Sequence, residues 1–330
     1  MVLFLGAIAK FLAGYVVLTA AFYMLSLAVP KAAFVARSLA SYMTLVACAL
    51  YGVVASLVLT LLGKQQIAQW AVARAFHYSM RLTTGVEFDV DDPNDYLGST
   101  RPAVFIGNHQ TELDVLMLGA IFPKYCSVTA KAQLKRMPFL GWFMSLSGTI
   151  FIDRKNSKDA RSAMDGAAAE IKTKRQSVYI FPEGTRSYAK EPTLLPFKKG
   201  AFHLAVQSGV PIVPVVVANY SHILYIRGMV FNAGKIPVKG TFPLNLPLLS
   251  FFLSFDNNHI WLTSHLSVLP PIETKNLTSA DVDELTQSTR ELMLKELISL
   301  TEKARGQPIA VPASLNGAAT GRSTAVDASR

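Results

Sequence analysis

Ala103-Val-Phe-Ile-Gly-Asn-His-Gln-Thr-Glu-Leu-Asp114 joins an apolar run to a polar turn and then to the start of a second apolar pattern. Ala103 to Ile106 reads as a buried strand and Gly107 stops it. Asp114, with Val115, Leu116 and Leu118, reads as the first turns of a helix. Asn108, His109 and Asp114 are thereby gathered where a strand ends, with His109 able to face Asp114 across a short turn. In acyl transfer to a hydroxyl, a neutral imidazole takes the hydroxyl proton, and a carboxylate on its other nitrogen fixes the tautomer and stabilises the imidazolium. No serine or cysteine nucleophile is then required. An isolated His-x4-Asp has a simpler reading, a helix cap beside a loop histidine, so the rest of the chain has to decide.

Outward from this stretch, short apolar runs alternate with helical patterns. Val104 to Ile106, Ser127 to Ala130, Thr149 to Ile152, Val178 to Phe181 and Ile212 to Val217 are strand-like, and Ser157 to Lys174 has helical spacing. That alternation predicts an α/β domain, a mixed and largely buried sheet flanked by helices. Sites in such sheets collect at strand ends, where His109 and Glu183 both fall.

Three further blocks follow in order: Gly148-Thr-Ile-Phe-Ile-Asp-Arg154, Phe181-Pro-Glu-Gly-Thr-Arg-Ser187 and Val210-Pro-Ile-Val-Pro-Val-Val216. With Asn108-His-Gln-Thr-Glu-Leu-Asp114 they resemble the four ordered blocks of the glycerolipid acyltransferases, specifically the 1-acylglycerol-3-phosphate acyltransferases. Leu195 to His203 and Lys131 to Trp142 resemble the fungal members. The likeness is close over roughly Arg101 to Tyr220, and four spaced motifs are far rarer by chance than one.

The resemblance implies an acyl transfer from acyl-CoA to the sn-2 hydroxyl of lysophosphatidate, giving phosphatidate and coenzyme A, with His109 as base and Asp114 orienting it. It places Glu183, Gly184, Thr185 and Arg186 at the acceptor, Arg186 on the phosphate and Glu183 on the glycerol or holding Arg186. Lys131 is expected to reach the same phosphate and Arg154 to support acceptor binding. No metal or cofactor is implied, because the thioester is already activated and acyl-CoA is a co-substrate. Glycerol-3-phosphate and lysophospholipid acyltransferases share the His-x4-Asp logic. A non-catalytic membrane or lipid-droplet protein would be expected to lose His109 or Asp114, and both are present.

Of the 330 residues, 51% are hydrophobic and 16% charged, too apolar for a wholly soluble enzyme, and the net charge of +10 suits an anionic membrane surface or a phosphorylated substrate. Nucleic acid is not expected as a partner, since the basic residues are scattered and no recognised binding motif appears. Two cysteines support neither a disulfide framework nor a Cys-rich metal site.

Phe11 to Val29 and Ser38 to Gly63 are uncharged over 19 and 26 residues, against roughly 20 for a membrane-spanning helix. Residues 1–63 are therefore expected to form an N-terminal membrane hairpin, whether spanning or lying in one leaflet, and the lipid bilayer is an expected partner. Residues 64–100 read as an interfacial helix, Gln66 to Leu82, whose apolar face reads equally well as ordinary core, followed by a turn-rich join over Asp91 to Thr100. The acyltransferase domain is expected over 101–303, its sheet starting just after the join and an amphipathic helix, Ser279 to Lys303, closing it.

Within that domain, residues 240–267 read as an insert, since joining Lys239 to Val268 would produce an alternating strand, Lys-Ile-Pro-Val-Lys-Val-Leu-Pro-Pro-Ile. A retained intron is favoured over a membrane-dipping loop. Residues 304–330 lose the apolar period and read as a disordered tail. The resemblance implies an endoplasmic reticulum membrane location with the site facing the cytosol, the lipid droplet being a second location. There, the acceptor patterns Asn219-Tyr-Ser and Asn276-Leu-Thr would go unglycosylated.

Overall fold

The computed structural model describes residues 2–153, 156–235, 265–306 and 308. Two long apolar helices come first, α1 (Val2–Leu25) and α2 (Pro30–Leu61), joined by a short turn. Both are long and apolar enough to cross a membrane. Pro30 opens α2 where a missing N–H costs nothing. Along one face of α2, Ala32, Ala36, Ala40, Thr44, Cys48, Gly52 and Ser56 recur at every fourth residue and are buried. Small side chains there let neighbouring helices approach closely. At Gly52 an added Cβ would lie 2.7 Å from the ring of Phe143.

The partner along much of that face is α3 (Ala68–Thr84), capped by Gly85 in the left-handed conformation. The helix expected to ride at a lipid interface thus has its apolar face, Val72, Phe76 and Met80, buried in the protein, packed between α2 and a helix of the catalytic domain. Tyr78 and Leu82 stay exposed.

Two short strands, β1 (Val86–Glu87) and β2 (Asp89–Asp91), and one turn of helix, α4 (Tyr96–Ser99), lead into β3 (Val104–Gly107). The chain continues through α5 (Asp114–Ile121), β4 (Cys126–Lys131), α6 (Leu140–Leu146), β5 (Ile150–Ile152), α7 (Ser157–Lys174) and β6 (Ser177–Ile180). It is completed by α8 (Gly200–Ser208), β7 (Ile212–Val217), the small strands β8 (Leu224–Tyr225), β9 (Val230–Phe231) and β10 (Gly234–Lys235), then β11 (His265–Val268) and α9 (Val282–Arg305).

The main sheet has seven strands in the order β2-β11-β7-β3-β6-β4-β5. All neighbours are parallel except β11 and β7, so the sheet is mixed, with its antiparallel step next to one edge. β2 corrects the expectation that the sheet begins after the Asp91 to Thr100 join: Asp89 to Asp91 pair with His265 to Ser267, a partner too distant in sequence to signal itself locally. For the same reason the last three residues of the expected insert, His265 to Ser267, are sheet residues, bound between β2 and β7. Residues 240–264 of that insert lie outside the described residues, as do 307 and 309–330 of the tail expected over 304–330, whereas Ala304 and Arg305 correct that expectation by ending α9, Ala304 being buried against the domain.

Alternation along the central strands builds two cores. Phe105, Tyr179, Val213, Val215 and Val217 face α3 and α5, where Leu116, Met117 and Phe76 meet them. Val104, Ile106, Val178, Ile180, Ile212 and Val216 face α7, α8 and α9. A strand buried on both faces has no polar alternation, which is why β3, β6 and β7 read as continuous apolar runs.

Candidate active site

Where the parallel strands β3, β6 and β7 end, their following turns converge. β3 hands over to Asn108, whose side chain bonds the N–H and C=O of Val217 at the end of β7, both at 2.9 Å. The turn is thereby held in register with the neighbouring strand end. His109 follows, and its Nδ1 lies 2.7 Å from Oδ2 of Asp114, the first residue of α5. An ionised carboxylate only accepts, so Nδ1 carries the hydrogen and Nε2 is the basic nitrogen.

Asp114 is fully buried, and a buried charge survives only where donors replace water. Its Oδ2 also accepts the N–H groups of Gln110 at 2.6 Å and Thr111 at 3.1 Å, while Oδ1 accepts the Tyr220 hydroxyl at 2.5 Å. The short loop between His109 and Asp114 is thus wrapped around the carboxylate. The imidazole is held from the other direction by Phe181, stacked at 4.1 Å between centroids and 18° between planes.

The turn after β6 is fastened to this loop along its backbone. Glu183 Oε1 accepts the His109 N–H at 2.7 Å and Oε2 the Leu195 N–H at 2.9 Å. Ser187 N–H donates to the His109 carbonyl at 2.9 Å and Tyr188 N–H to the Gln110 carbonyl at 3.1 Å. Gly184 takes φ +70°, left-handed backbone that glycine adopts without strain, and turns the chain here. Burial pushes the Glu183 carboxyl up to about 7, against the two N–H bonds, which pull it down.

Glu183 therefore does not hold Arg186, as one of its two expected roles required; its oxygens are taken by backbone. Arg186 instead pairs with Glu112, which also accepts the Tyr188 hydroxyl at 2.7 Å. Thr185 and Arg186 are exposed, and Lys131 is exposed at the end of β4, on the same edge of the sheet. Arg154 lies outside the described residues. Glu112, Tyr188, Phe181 and Tyr220 were not singled out from the sequence. Glu112 and Phe181 lie inside the quoted blocks and Tyr188 directly follows one, a position that could have flagged all three, whereas nothing local marks Tyr220.

A cavity of about 400 Å³ adjoins the loop, bounded by Gln110, Thr111, Glu112, Tyr188, Tyr220 and Arg227 among others. Next to it Asn219 is buried, its amide donating to the Ala189 carbonyl and accepting from Arg305; Asn276 is exposed.

A His-Asp pair at a parallel strand end, clamped to a Glu-Gly-Thr-Arg turn, defines an acyltransferase domain, and residues 89–218 match the Acyltransferase family. The Saccharomyces cerevisiae 1-acyl-sn-glycerol-3-phosphate acyltransferase is 41% identical over 79% of this chain and 76% of its own length. The human alpha enzyme of the same name is 31% identical over 73% and 75%. Among solved structures, the 1-acyl-sn-glycerophosphate (LPA) acyltransferase PlsC of Thermotoga maritima shares the fold, with a TM-score of 0.55 and 19% identity, covering 87% of this chain and 96% of that one. The chain belongs to the 1-acyl-sn-glycerol-3-phosphate acyltransferases.

Proposed function

We propose that this enzyme acylates the sn-2 hydroxyl of lysophosphatidate using acyl-CoA, with His109 as general base. The observation that carries the reading is the His109 to Asp114 contact, built into the same backbone clamp as Arg186. Asp114 keeps the hydrogen on Nδ1 and balances the imidazolium. Nε2 removes the acceptor proton as the oxygen attacks the thioester carbonyl. The tetrahedral intermediate then collapses, the C–S bond breaks, and the proton held by His109 leaves with the thiol. Positioned general-base catalysis contributes about 10²- to 10⁴-fold, and acceptor positioning adds to it.

Arg186 binds the acceptor phosphate, since a guanidinium matches a phosphate monoester bidentately. Lys131, at the neighbouring strand end, and Arg154 supply further positive charge. Gly184 and Thr185 shape the acceptor turn, and Glu183 acts by fixing the backbone on which His109 and Arg186 are carried. No cofactor takes part. The apolar hairpin of α1 and α2 anchors the enzyme in the bilayer of the endoplasmic reticulum, with the site on the cytosolic side where acyl-CoA is available.

The test is coenzyme A release from oleoyl-CoA by membranes containing the protein, with lysophosphatidate, glycerol 3-phosphate and lysophosphatidylcholine offered separately. Turnover with lysophosphatidate that is lost in Arg186→Ala through a raised KM is the expected result. Preference for either other acceptor would overturn the substrate assignment.

A further inference from the structure

We propose that Glu112 is a built-in competitor for Arg186, a carboxylate that the acceptor's phosphate must displace, and that it thereby sets both affinity and selectivity for phosphate-bearing acceptors. The inference deepens the acceptor reading above and rests on Arg186 being the phosphate contact. Glu112 lies in the loop that wraps Asp114, and it pairs with an arginine 74 residues away in sequence. The side chains are 40% and 48% exposed, so the pair is worth at most about 1 kcal/mol and is easily exchanged. A phosphate monoester carries nearly two negative charges and three acceptor oxygens, and outcompetes one carboxylate for a guanidinium fork. A neutral head group cannot, and leaves Arg186 with Glu112.

The geometry also supplies a place for the displaced carboxylate. Tyr188 donates its hydroxyl at 2.7 Å to Oε1 of Glu112, the same oxygen that Arg186 holds, so this oxygen keeps one donor when the guanidinium leaves, and both Glu112 and Tyr188 border the 400 Å³ cavity. Burial and the neighbouring Glu112 push the Tyr188 hydroxyl up to about 12, so it stays a donor at neutral pH. Exchange at Arg186 therefore strands no group, and occurs on the loop whose backbone amides hold the catalytic carboxylate. A purely structural Glu112 would instead be needed to hold Arg186 in place for the acceptor.

The probe is sn-glycerol 3-phosphate, titrated calorimetrically into the full-length protein in detergent. Glu112→Gln should bind about 2- to 5-fold more tightly than wild type, the fold-change that corresponds to an exposed ion pair. Arg186→Ala should lose binding, and Glu191→Gln, whose partner is Arg305, should match wild type. Glu112→Ala is the second variant, with the same direction expected. In turnover, the KM for lysophosphatidate should fall in Glu112→Gln by more than kcat changes. Equal or weaker binding in both Glu112 variants would overturn the inference while leaving the acyltransferase reading intact. Binding that is tightened in Glu112→Gln and lost in Arg186→Ala, in a protein that does not acylate lysophosphatidate, would overturn the substrate reading and leave this exchange standing. Binding indifferent to Arg186→Ala would overturn the role of Arg186 and the inference together.

Discussion

The hydroxyl of Tyr220 donates to Oδ1 of Asp114 at 2.5 Å, on the oxygen opposite the one that holds His109. Both residues are fully buried. The same hydroxyl lies 3.1 Å from Thr111 Oγ1 and accepts the Thr111 N–H at 3.2 Å, so one phenol ties the carboxylate to the loop that encloses it. Replacing Tyr220 by Phe removes that donor without opening a cavity. Leaving buried partners unsatisfied costs about 1–3 kcal/mol. Tyr220→Phe should therefore lower the unfolding midpoint and reduce kcat about tenfold, less than loss of His109 itself; an unchanged kcat would show that Asp114 needs no help from Oδ1.

His109→Ala should reduce turnover by about 10²- to 10⁴-fold, the range of general-base contributions. Flotation with membranes should be unaffected, because the exposed apolar surface of α1 and α2 is far from the substitution in sequence and is left intact. Retained turnover would exclude His109 as the base.

Glu183 gives a pH dependence with a definite sign. Its carboxyl moves from 4.5 to about 7 on folding, chiefly through burial. The folded state then holds a proton that the unfolded state releases. The associated stability is fully present below about pH 4.5 and is lost as pH rises to about 7, on the order of 3 kcal/mol. Thermal unfolding of wild type against Glu183→Gln should show the wild type losing ground across that window and a constant difference above it. A difference independent of pH would place the carboxyl at its ordinary value.

At the hairpin, Gly52→Val should destabilise the packing of α2 on α6, since its Cβ would lie 2.7 Å from the Phe143 ring. Overpacking of this kind costs about 1–3 kcal/mol. Gly14→Val, in α1, meets nothing within 4 Å and is the control expected to leave the unfolding midpoint unchanged.

The central strands and α7 were legible in the sequence because their signals are local. Apolar runs bounded by turns mark β3, β4, β5, β6 and β7, and a helical period marks α7 within the bounds observed. His109 and Asp114 were legible for the same reason: only four residues separate them, and a single turn brings them together. The apolar length of α1 and α2 likewise needs no tertiary information.

What the tertiary structure alone decided is everything that depends on a distant partner. β2 and β11 are three and four residues long and become strands only by pairing across a gap of more than 170 residues. Packing against α2 and a catalytic-domain helix, not sequence, determined what the apolar face of α3 covers. Tyr220 reaches Asp114 over 106 residues and Glu112 reaches Arg186 over 74, contacts that no periodicity encodes. Local propensity and pattern specify which residues end a strand or begin a helix. Which strand ends meet, and so which side chain supports Asp114 and which carboxylate pairs with Arg186, follows only when the buried faces of the sheet select their neighbours.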